Sequence, residues 1–273
     1  MRTLRYVTVD VFTATPLEGN PLAVFTGADG LDDDTMQALA RETNLSETTF
    51  LQRATEGGTA RLRIFTPTSE LPFAGHPIIG SAWVIARATP ISDVGFETGM
   101  GLIPVAIERE GGTLVGARMR QPDPLIGPAD VDRDALAAAL GTPLAGEPMI
   151  GANGLSHLLC PVADVTAAAP DWAALAGYDV RTIYLWSPPV DGVLRTRMFS
   201  PIDGIWEDPA TGSAAGALGV HLLQSGVIGP GRVTMLQGVE IGRPSYIEVD
   251  IAEGAPPVVG GSCRVVARGE FQL

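Results

Sequence analysis

The chain has 273 residues, with 18 basic residues against 31 acidic ones, three histidines and two cysteines. All 18 basic residues are arginine and the chain has no lysine. Schiff-base chemistry on a lysine amine and a phosphate loop of the G-x-x-x-x-G-K-[ST] type are therefore excluded. The net charge of −13 disfavours a nucleic-acid partner, which needs a basic face. Cys160 and Cys263 stand alone, which excludes zinc held by cysteine pairs and argues against a disulfide scaffold.

The first half of the chain reads as strands with two helices. Strand patterns occupy residues 5–12, 22–25, 46–51 and 60–65, and the first two form a hairpin with a turn at Gly19-Asn20-Pro21. Asp32, with two further aspartates, starts a helix that runs to about Thr43. From Pro77 to about Arg87 the sequence is apolar on all sides, which predicts a helix buried inside the protein.

The second half repeats this plan. Helical patterns occupy residues 130–140 and 209–224, and the second of these is again apolar and predicted to be buried. Strand patterns occupy residues 116–120, 155–162, 181–186, 193–199, 246–251 and 264–271. No apolar signal-peptide core and no run of about 20 apolar residues is seen, so we expect a cytoplasmic protein without a membrane span.

An internal repeat connects the two halves. Residues 61–67 (R-L-R-I-F-T-P) match residues 195–201 (R-T-R-M-F-S-P), and His76-Pro77-x-x-Gly-Ser-Ala matches Asp208-Pro209-x-x-Gly-Ser-Ala. A weaker match pairs Leu45-Ser46-Glu47 with Leu155-Ser156-His157. The repeat predicts an α+β protein with two pseudo-symmetric β-barrel or roll halves, each wrapped around a central buried helix. We place the halves at residues 1–120 and 121–273, with the last strand free to cross back to the first half.

The repeat also singles out candidate site residues. We expect each proline to occupy the first helical position, where its missing N–H costs nothing. His76 and Asp208 would then lie at helix N-termini, whose unpaired N–H groups and partial positive charge suit a small carboxylate. Three alternatives remain open at this point: Asp208 as a simple helix N-cap, Glu47 as a solvated surface charge, and His157 as a hydrogen-bonded core histidine.

The same segments resemble a known family. They are D-V-F at 10–12, G-N-P-L-A-V at 19–24, N-L-S-E-T-T-F at 44–50, E-L-P-F-A-G-H-P at 70–77, E-D-P-A-T-G-S-A at 207–214 and Q-G-V-E-I-G-R-P at 237–244. Together they resemble the phenazine-biosynthesis isomerase family, which shares its fold with diaminopimelate epimerase. The resemblance implies a cofactor-independent, metal-free isomerase, commonly a homodimer, acting on a carboxylic acid of the 2,3-dihydro-3-hydroxyanthranilate type in phenazine or other antibiotic biosynthesis.

The resemblance also implies roles for particular residues. Glu47 would move a proton from one substrate carbon to another, with His76 and Asp208 completing the catalytic site. Substrate binding would fall to four further residues: Asn20, Gly75, Gly212 and Ser213. Glu47 would need a pKa nearer the working pH than the ~4.3 of a free glutamate, and burial would raise it.

The helix starts carry no cysteine, in contrast to the two catalytic cysteines of the epimerases. A two-thiol racemisation is therefore excluded, and one glutamate moving a hydrogen on one face remains. Two other functions stay open. One is a cysteine-independent epimerase or lyase acting on an amino-acid-like acid, and the other is a non-catalytic binding protein on the same fold.

Overall fold

The computed structural model describes residues Arg2–Leu273, which form many β-strands and few helices. They divide into two units. Unit 1 comprises the residues up to Arg120 together with Val259–Leu273, and unit 2 comprises Gln121–Val258. Within the described part of the chain, no helix is both long and apolar enough to cross a bilayer.

The α-helices of the described residues are α1 Asp33–Thr43, α2 Gly75–Ala88, α3 Arg133–Leu140, α4 Trp172–Leu175 and α5 Gly212–Gln224. The start of α1 follows from the sequence, because the Asp32 side chain accepts a hydrogen bond from the backbone N–H of Thr35 at 2.7 Å. The helix ends at Asn44, whose φ of 51° is left-handed and turns the chain toward the next strand.

Unit 1 is a curved sheet around α2. Its strands are β1 Thr3–Val11, β2 Asn20–Phe25, β3 Glu47–Gln52, β4 Ala60–Phe65, β5 Glu70–Leu71, β6 Asp93–Thr98, β7 Gly101–Glu110, β8 Thr113–Arg120 and β17 Cys263–Gln272. The last strand, β17, pairs antiparallel with β1. Helix α2 packs against β1, β2, β3, β7 and β8. At Gly80 of α2 an added Cβ would lie 2.8 Å from the side chains of Leu22 and Val11, so the helix approaches the sheet closely.

Unit 2 surrounds α5 in the same way. Its strands are β9 Leu125–Pro128, β10 Met149–Ala152, β11 Ser156–Pro161, β12 Thr182–Val190, β13 Val193–Phe199, β14 Gly231–Gln237 and β15 Ser245–Ile251, and β16 Val258–Gly261 leads back into unit 1. Helix α5 packs against β9, β10, β11 and β15. The α+β class, with a buried helix wrapped by strands in each unit, is thereby confirmed.

The strand pairings show how the repeat is built. In unit 1, β1–β2 is antiparallel, β2–β3 parallel, β3–β4 antiparallel, and α2 connects the parallel pair β4–β6. In unit 2, β10–β11, β11–β12, β12–β13 and β13–β14 follow in the same order and sense, with α5 in the place of α2. Strand β3 therefore corresponds to β12, and β2 corresponds to β11.

This correspondence shows that the weakest of the three sequence matches is wrong. His157 lies in β11, whereas Glu47 begins β3, so the two residues are not equivalent. In the parallel pairs, Glu47 faces Leu22 across β2–β3 and Thr182 faces His157 across β11–β12. The counterpart of Glu47 is thus Thr182, the first residue of β12, and it carries no titratable group.

The predicted proline positions are also wrong. Helix α2 begins at Gly75, which places Pro77 third, and α5 begins at Gly212, three residues after Pro209. Pro77 is still tolerated because the first-turn N–H groups of a helix have no intrahelical partner. The predicted turn at Gly19-Asn20-Pro21 is displaced too, since Asn20 and Pro21 are already paired in β2.

Candidate active site

Unit 1 brings Glu47 and His76 together from two elements. Glu47 is the first residue of β3, directly after the Asn44 turn, and His76 is the second residue of α2. His76 Nε2 lies 3.5 Å from Glu47 Oε2. The side chains are 4% and 13% exposed, so Glu47 is not the solvated surface charge of the alternative interpretation.

Asn20 fixes how His76 presents its proton. Ser46 Oγ donates to Asn20 Oδ1 at 3.2 Å, which leaves the Asn20 amide nitrogen to face His76 Nδ1, also at 3.2 Å. This network assigns Asn20 as donor and Nδ1 as acceptor, so the ring proton belongs on Nε2, the nitrogen nearest Glu47. Burial lowers the pKa of His76 to about 3, because desolvation disfavours the imidazolium. His76 is therefore a neutral donor at physiological pH.

Gly75 lies at the start of α2, immediately before His76, and is buried. The N-cap residue Ala74 makes no side-chain capping hydrogen bond to the first turn. A helix start without a side-chain cap can use its backbone N–H groups to bind an anionic or polar substrate group.

Unit 2 places Asp208 ahead of α5 rather than at its N-cap. The N-cap position is taken by Thr211, whose side chain makes no capping bond. Instead, the Thr211 hydroxyl donates to Asp208 Oδ2 at 2.6 Å. Asp208 is only 4% exposed, and its backbone N–H donates to the carbonyl of Met198 in β13 at 3.0 Å. The helix-cap interpretation of Asp208 is therefore wrong.

A buried ion pair holds the segment that carries Asp208. Arg197 of β13 donates from Nε and from one terminal nitrogen to the two oxygens of Glu207, at 2.9 and 2.8 Å. The other terminal nitrogen donates to the carbonyls of Val165 and Ala168. Because this fork is bidentate and both side chains are under 10% exposed, the residue preceding Asp208 is firmly fixed to β13.

Gly212 and Ser213 form the buried first turn of α5, and a polar network holds their carbonyls. Gln121 Nε2 donates to the Gly212 carbonyl and Asn153 Nδ2 to the Ser213 carbonyl, both at 2.8 Å. Asn153 Oδ1 in turn lies 3.2 Å from His157 Nε2. The position of this helix start is thus set by side chains from β10–β11 and the chain entering unit 2.

His157 belongs to this supporting network. Its ring is fully buried and bonded on both nitrogens, with Nδ1 2.7 Å from Thr182 Oγ1. Burial lowers its pKa to about 3. The prediction of a hydrogen-bonded core histidine is confirmed.

The described residues contain no group of three or more His, Cys, Asp or Glu side chains arranged to hold a metal ion. The two cysteines lie in β11 and β17, and burial raises the pKa of both thiols well above the ordinary value. Both are therefore protonated, inert thiols.

Residues that sequence reasoning missed support each group. Ser46 orients Asn20 in unit 1, while Thr211, Gln237, Gln121 and Asn153 hold the segment from Asp208 to Ser213 in unit 2. Ser46, Thr211 and Gln237 lie inside the family-like segments. Gln121 and Asn153 lie in no such segment, and only their burial in the folded protein identifies them.

Comparisons with known proteins agree with this architecture. The family model described as "Phenazine biosynthesis-like protein" matches residues 9–268. A trans-2,3-dihydro-3-hydroxyanthranilate isomerase from Pseudomonas aeruginosa is 44% identical over 260 residues, covering 92% of this chain and 91% of that protein.

Two solved structures share the fold. A predicted epimerase from P. aeruginosa is 32% identical and covers 99% of both chains with a TM-score of 0.86. A hydroxyproline epimerase from Agrobacterium vitis is 15% identical and covers 98% of this chain and 92% of its own, with a TM-score of 0.72. The epimerase-like fold is confirmed by these neighbours.

Proposed function

Because the chain belongs to the phenazine biosynthesis-like protein family, we propose that it is an isomerase acting on a cyclic, unsaturated acid of the trans-2,3-dihydro-3-hydroxyanthranilate type. The 44% identity to such an isomerase over nine-tenths of the chain supports both the isomerase class and this substrate. The observation that carries the mechanism is the position of the Glu47 carboxylate, only 13% exposed, beside a neutral His76.

In the proposed reaction the Glu47 carboxylate accepts a proton from one ring carbon. The electron pair released moves the double bond, and the same carboxyl group then returns the proton to another ring carbon on the same face. No atoms or electrons are gained or lost, so no cofactor, metal or redox partner is required. Glu47 acts first as base and then as acid.

His76 and Asp208 are proposed to orient the substrate and to stabilise developing charge. A neutral His76 can donate from Nε2 without adding a positive charge that would hold Glu47 in its ionised form. Asn20, through its bond to His76 Nδ1, supports that role. The backbone N–H groups near Gly75, Gly212 and Ser213 are proposed to bind the polar groups of the substrate, including its carboxylate.

The strand correspondence leaves Glu47 without an acid–base counterpart in unit 2. Unit 2 presents Thr182 at the position where unit 1 presents Glu47. Threonine cannot remove a carbon-bound proton at neutral pH, so this fold position supplies one acid–base group only. We propose further, from the family resemblance, that the enzyme is a cytoplasmic homodimer.

The test compares wild type with Glu47→Gln, using protein dialysed against a chelator. Turnover is followed by ultraviolet absorbance, and the product is identified by NMR in deuterated water. We expect Glu47→Gln to lose a factor of about 10² to 10⁴ in kcat, the usual contribution of an acid–base group. Glu42→Gln, a change at an exposed glutamate of α1, is the matched control and should leave kcat unchanged.

A folded Glu47→Gln variant with near-wild-type turnover would refute the assignment of Glu47. A product with an inverted stereocentre and an unmoved double bond would instead indicate an epimerase. Binding of the acid without turnover by wild type would indicate a binding protein.

A further inference from the structure

The end of strand β14 carries a buried glutamine that the proposed reaction does not use. Gln237 is the last residue of β14, is fully buried, and pairs with Ser245 across the β14–β15 hairpin. The following turn lies directly against the segment that carries Asp208. At Gly238, where φ is 76°, an added Cβ would come within 2.6 Å of the carbonyl oxygen of Pro209.

The orientation of the Gln237 amide is fixed by backbone groups. Its nitrogen donates to the carbonyl of Asp208 at 2.8 Å, and its oxygen accepts from the N–H of Thr211 at 3.3 Å. Exchanging the amide oxygen and nitrogen would set oxygen against carbonyl and N–H against N–H, so only one orientation satisfies both bonds. These bonds also explain why Asp208–Thr211 stays outside the helix and why α5 begins after Pro209.

The second proton of the amide nitrogen determines the direction of the Thr211 hydroxyl. Gln237 Nε2 lies 3.0 Å from Thr211 Oγ1. Because an amide nitrogen only donates, Thr211 Oγ1 is the acceptor of this bond. The single hydroxyl proton of Thr211 is then left for Asp208 Oδ2, 2.6 Å away.

We propose that Gln237 is a positioning residue that directs the Thr211 hydroxyl proton onto Asp208 and so keeps the Asp208 carboxylate oriented and ionised for catalysis. The proposal rests on the proposed function insofar as Asp208 takes part in the reaction. The physical basis is that a hydrogen bond to the charged form of an acid stabilises that form, and more strongly so when the site is buried.

The experiment measures the Asp208 carboxyl directly, by carbon-13 NMR of protein labelled at the aspartate carboxyl carbon. The Asp208 resonance is assigned by its loss in Asp208→Asn. Thr211→Val removes the hydroxyl at constant shape, and Gln237→Met removes the amide that orients it. We expect both changes to raise the titration midpoint of the Asp208 carboxyl by about one pH unit. Thr211→Ser, which keeps a hydroxyl, should restore the wild-type midpoint.

The same variants are then assayed for the isomerase reaction as a function of pH. The acid limb of the kcat/KM profile should move to higher pH in Thr211→Val and Gln237→Met by the same amount, about one unit. Ser245→Ala is the control, because Ser245 is buried in the same hairpin but its hydroxyl donates to the Arg243 carbonyl. It should leave the midpoint and the profile unchanged.

A midpoint that stays within about 0.3 pH units of wild type in folded Thr211→Val overturns the proposal, whatever Gln237→Met does. So does an equal shift in Ser245→Ala, which would indicate general loosening of the hairpin. The NMR titration needs no substrate. A shifted midpoint in a protein without isomerase activity would therefore support the Gln237 inference while refuting the proposed function.

Discussion

His157 makes folding sensitive to acid. Its ring is fully buried, and its pKa in the folded protein, about 3, lies well below the ordinary value of 6.5 for histidine. When pH falls below 6.5, the unfolded chain binds a proton at this residue while the folded protein does not. The stability contribution of the neutral ring is therefore fully present above the unfolded pKa and is lost as pH falls toward the folded value.

The size of the effect follows from the two pKa values. Each pH unit between them changes the free energy of unfolding by about 1.4 kcal/mol for one residue. Between about pH 7.5 and pH 5, the linkage relation gives a loss of about 2 kcal/mol from His157. His76, with its pKa also lowered to about 3, adds a similar loss, so the two together remove about 4 kcal/mol. That is a large fraction of the 5–15 kcal/mol typical of domains.

Urea unfolding of wild type and His157→Gln at the two pH values isolates the contribution of His157 to the pH dependence of the free energy of unfolding. The variant is less stable at both pH values, because it loses hydrogen bonds to Thr182 and Asn153. Its loss between the two pH values should nevertheless be smaller than that of wild type by about 2 kcal/mol. With only three histidines in the chain, nitrogen-15 NMR can follow each ring, and His157 should stay neutral at pH 5. Equal pH dependence of both proteins, or a protonated ring at pH 5, would refute the reasoning.

Two further changes test the supports of the site. Arg197→Met should destabilise the protein by about 3–5 kcal/mol, because it leaves Glu207 buried and unpaired. The control is Arg5→Met, which breaks an ion pair whose side chains, Arg5 and Glu270, are 80% and 48% exposed. It should cost at most about 1 kcal/mol. Thermal unfolding of both variants measures the two losses of stability, and equal losses would contradict the prediction. Asn20→Leu removes the hydrogen-bond donor to His76 Nδ1. Nitrogen-15 shifts of the His76 ring should then show both tautomers, and kcat/KM should fall about tenfold or more. A single Nε2–H tautomer in that variant would show that Asn20 does not set it.

The sequence predicted the elements whose signals are local. The Asp32 cap of α1 and the two buried helices follow from side-chain chemistry within a few residues, and all three are present. The matching segments 61–67 and 195–201 begin in β4 and β13 and end two residues beyond them, and these strands occupy equivalent places in their units. Such features depend on residues close together in the chain.

The features that the sequence did not predict depend on distant partners. The sequence pattern places the start of α5 too early, because the Gln237 amide, 26 residues beyond Thr211, satisfies backbone groups of Asp208 and Thr211 outside the helix. Strand β14, which carries that glutamine, was also missed. The partial burial of Glu47 likewise depends on packing of β3 beside α2, which the three-residue match with residues 155–157 could not reveal.

The structural counterpart of Glu47 changes what the repeat means for catalysis. A duplicated fold offers two equivalent places for an acid–base group, and the starts of β3 and β12 form one such pair. Here one place holds Glu47 beside a neutral histidine, and the other holds Thr182, which is bonded to the buried His157 that supports the start of α5. One half of the repeat thus holds the proposed proton carrier, while the corresponding position of the other half stabilises the helix start proposed to bind the substrate. This division of labour accords with a one-face hydrogen shift, in which the proton leaves and returns through the same carboxyl group.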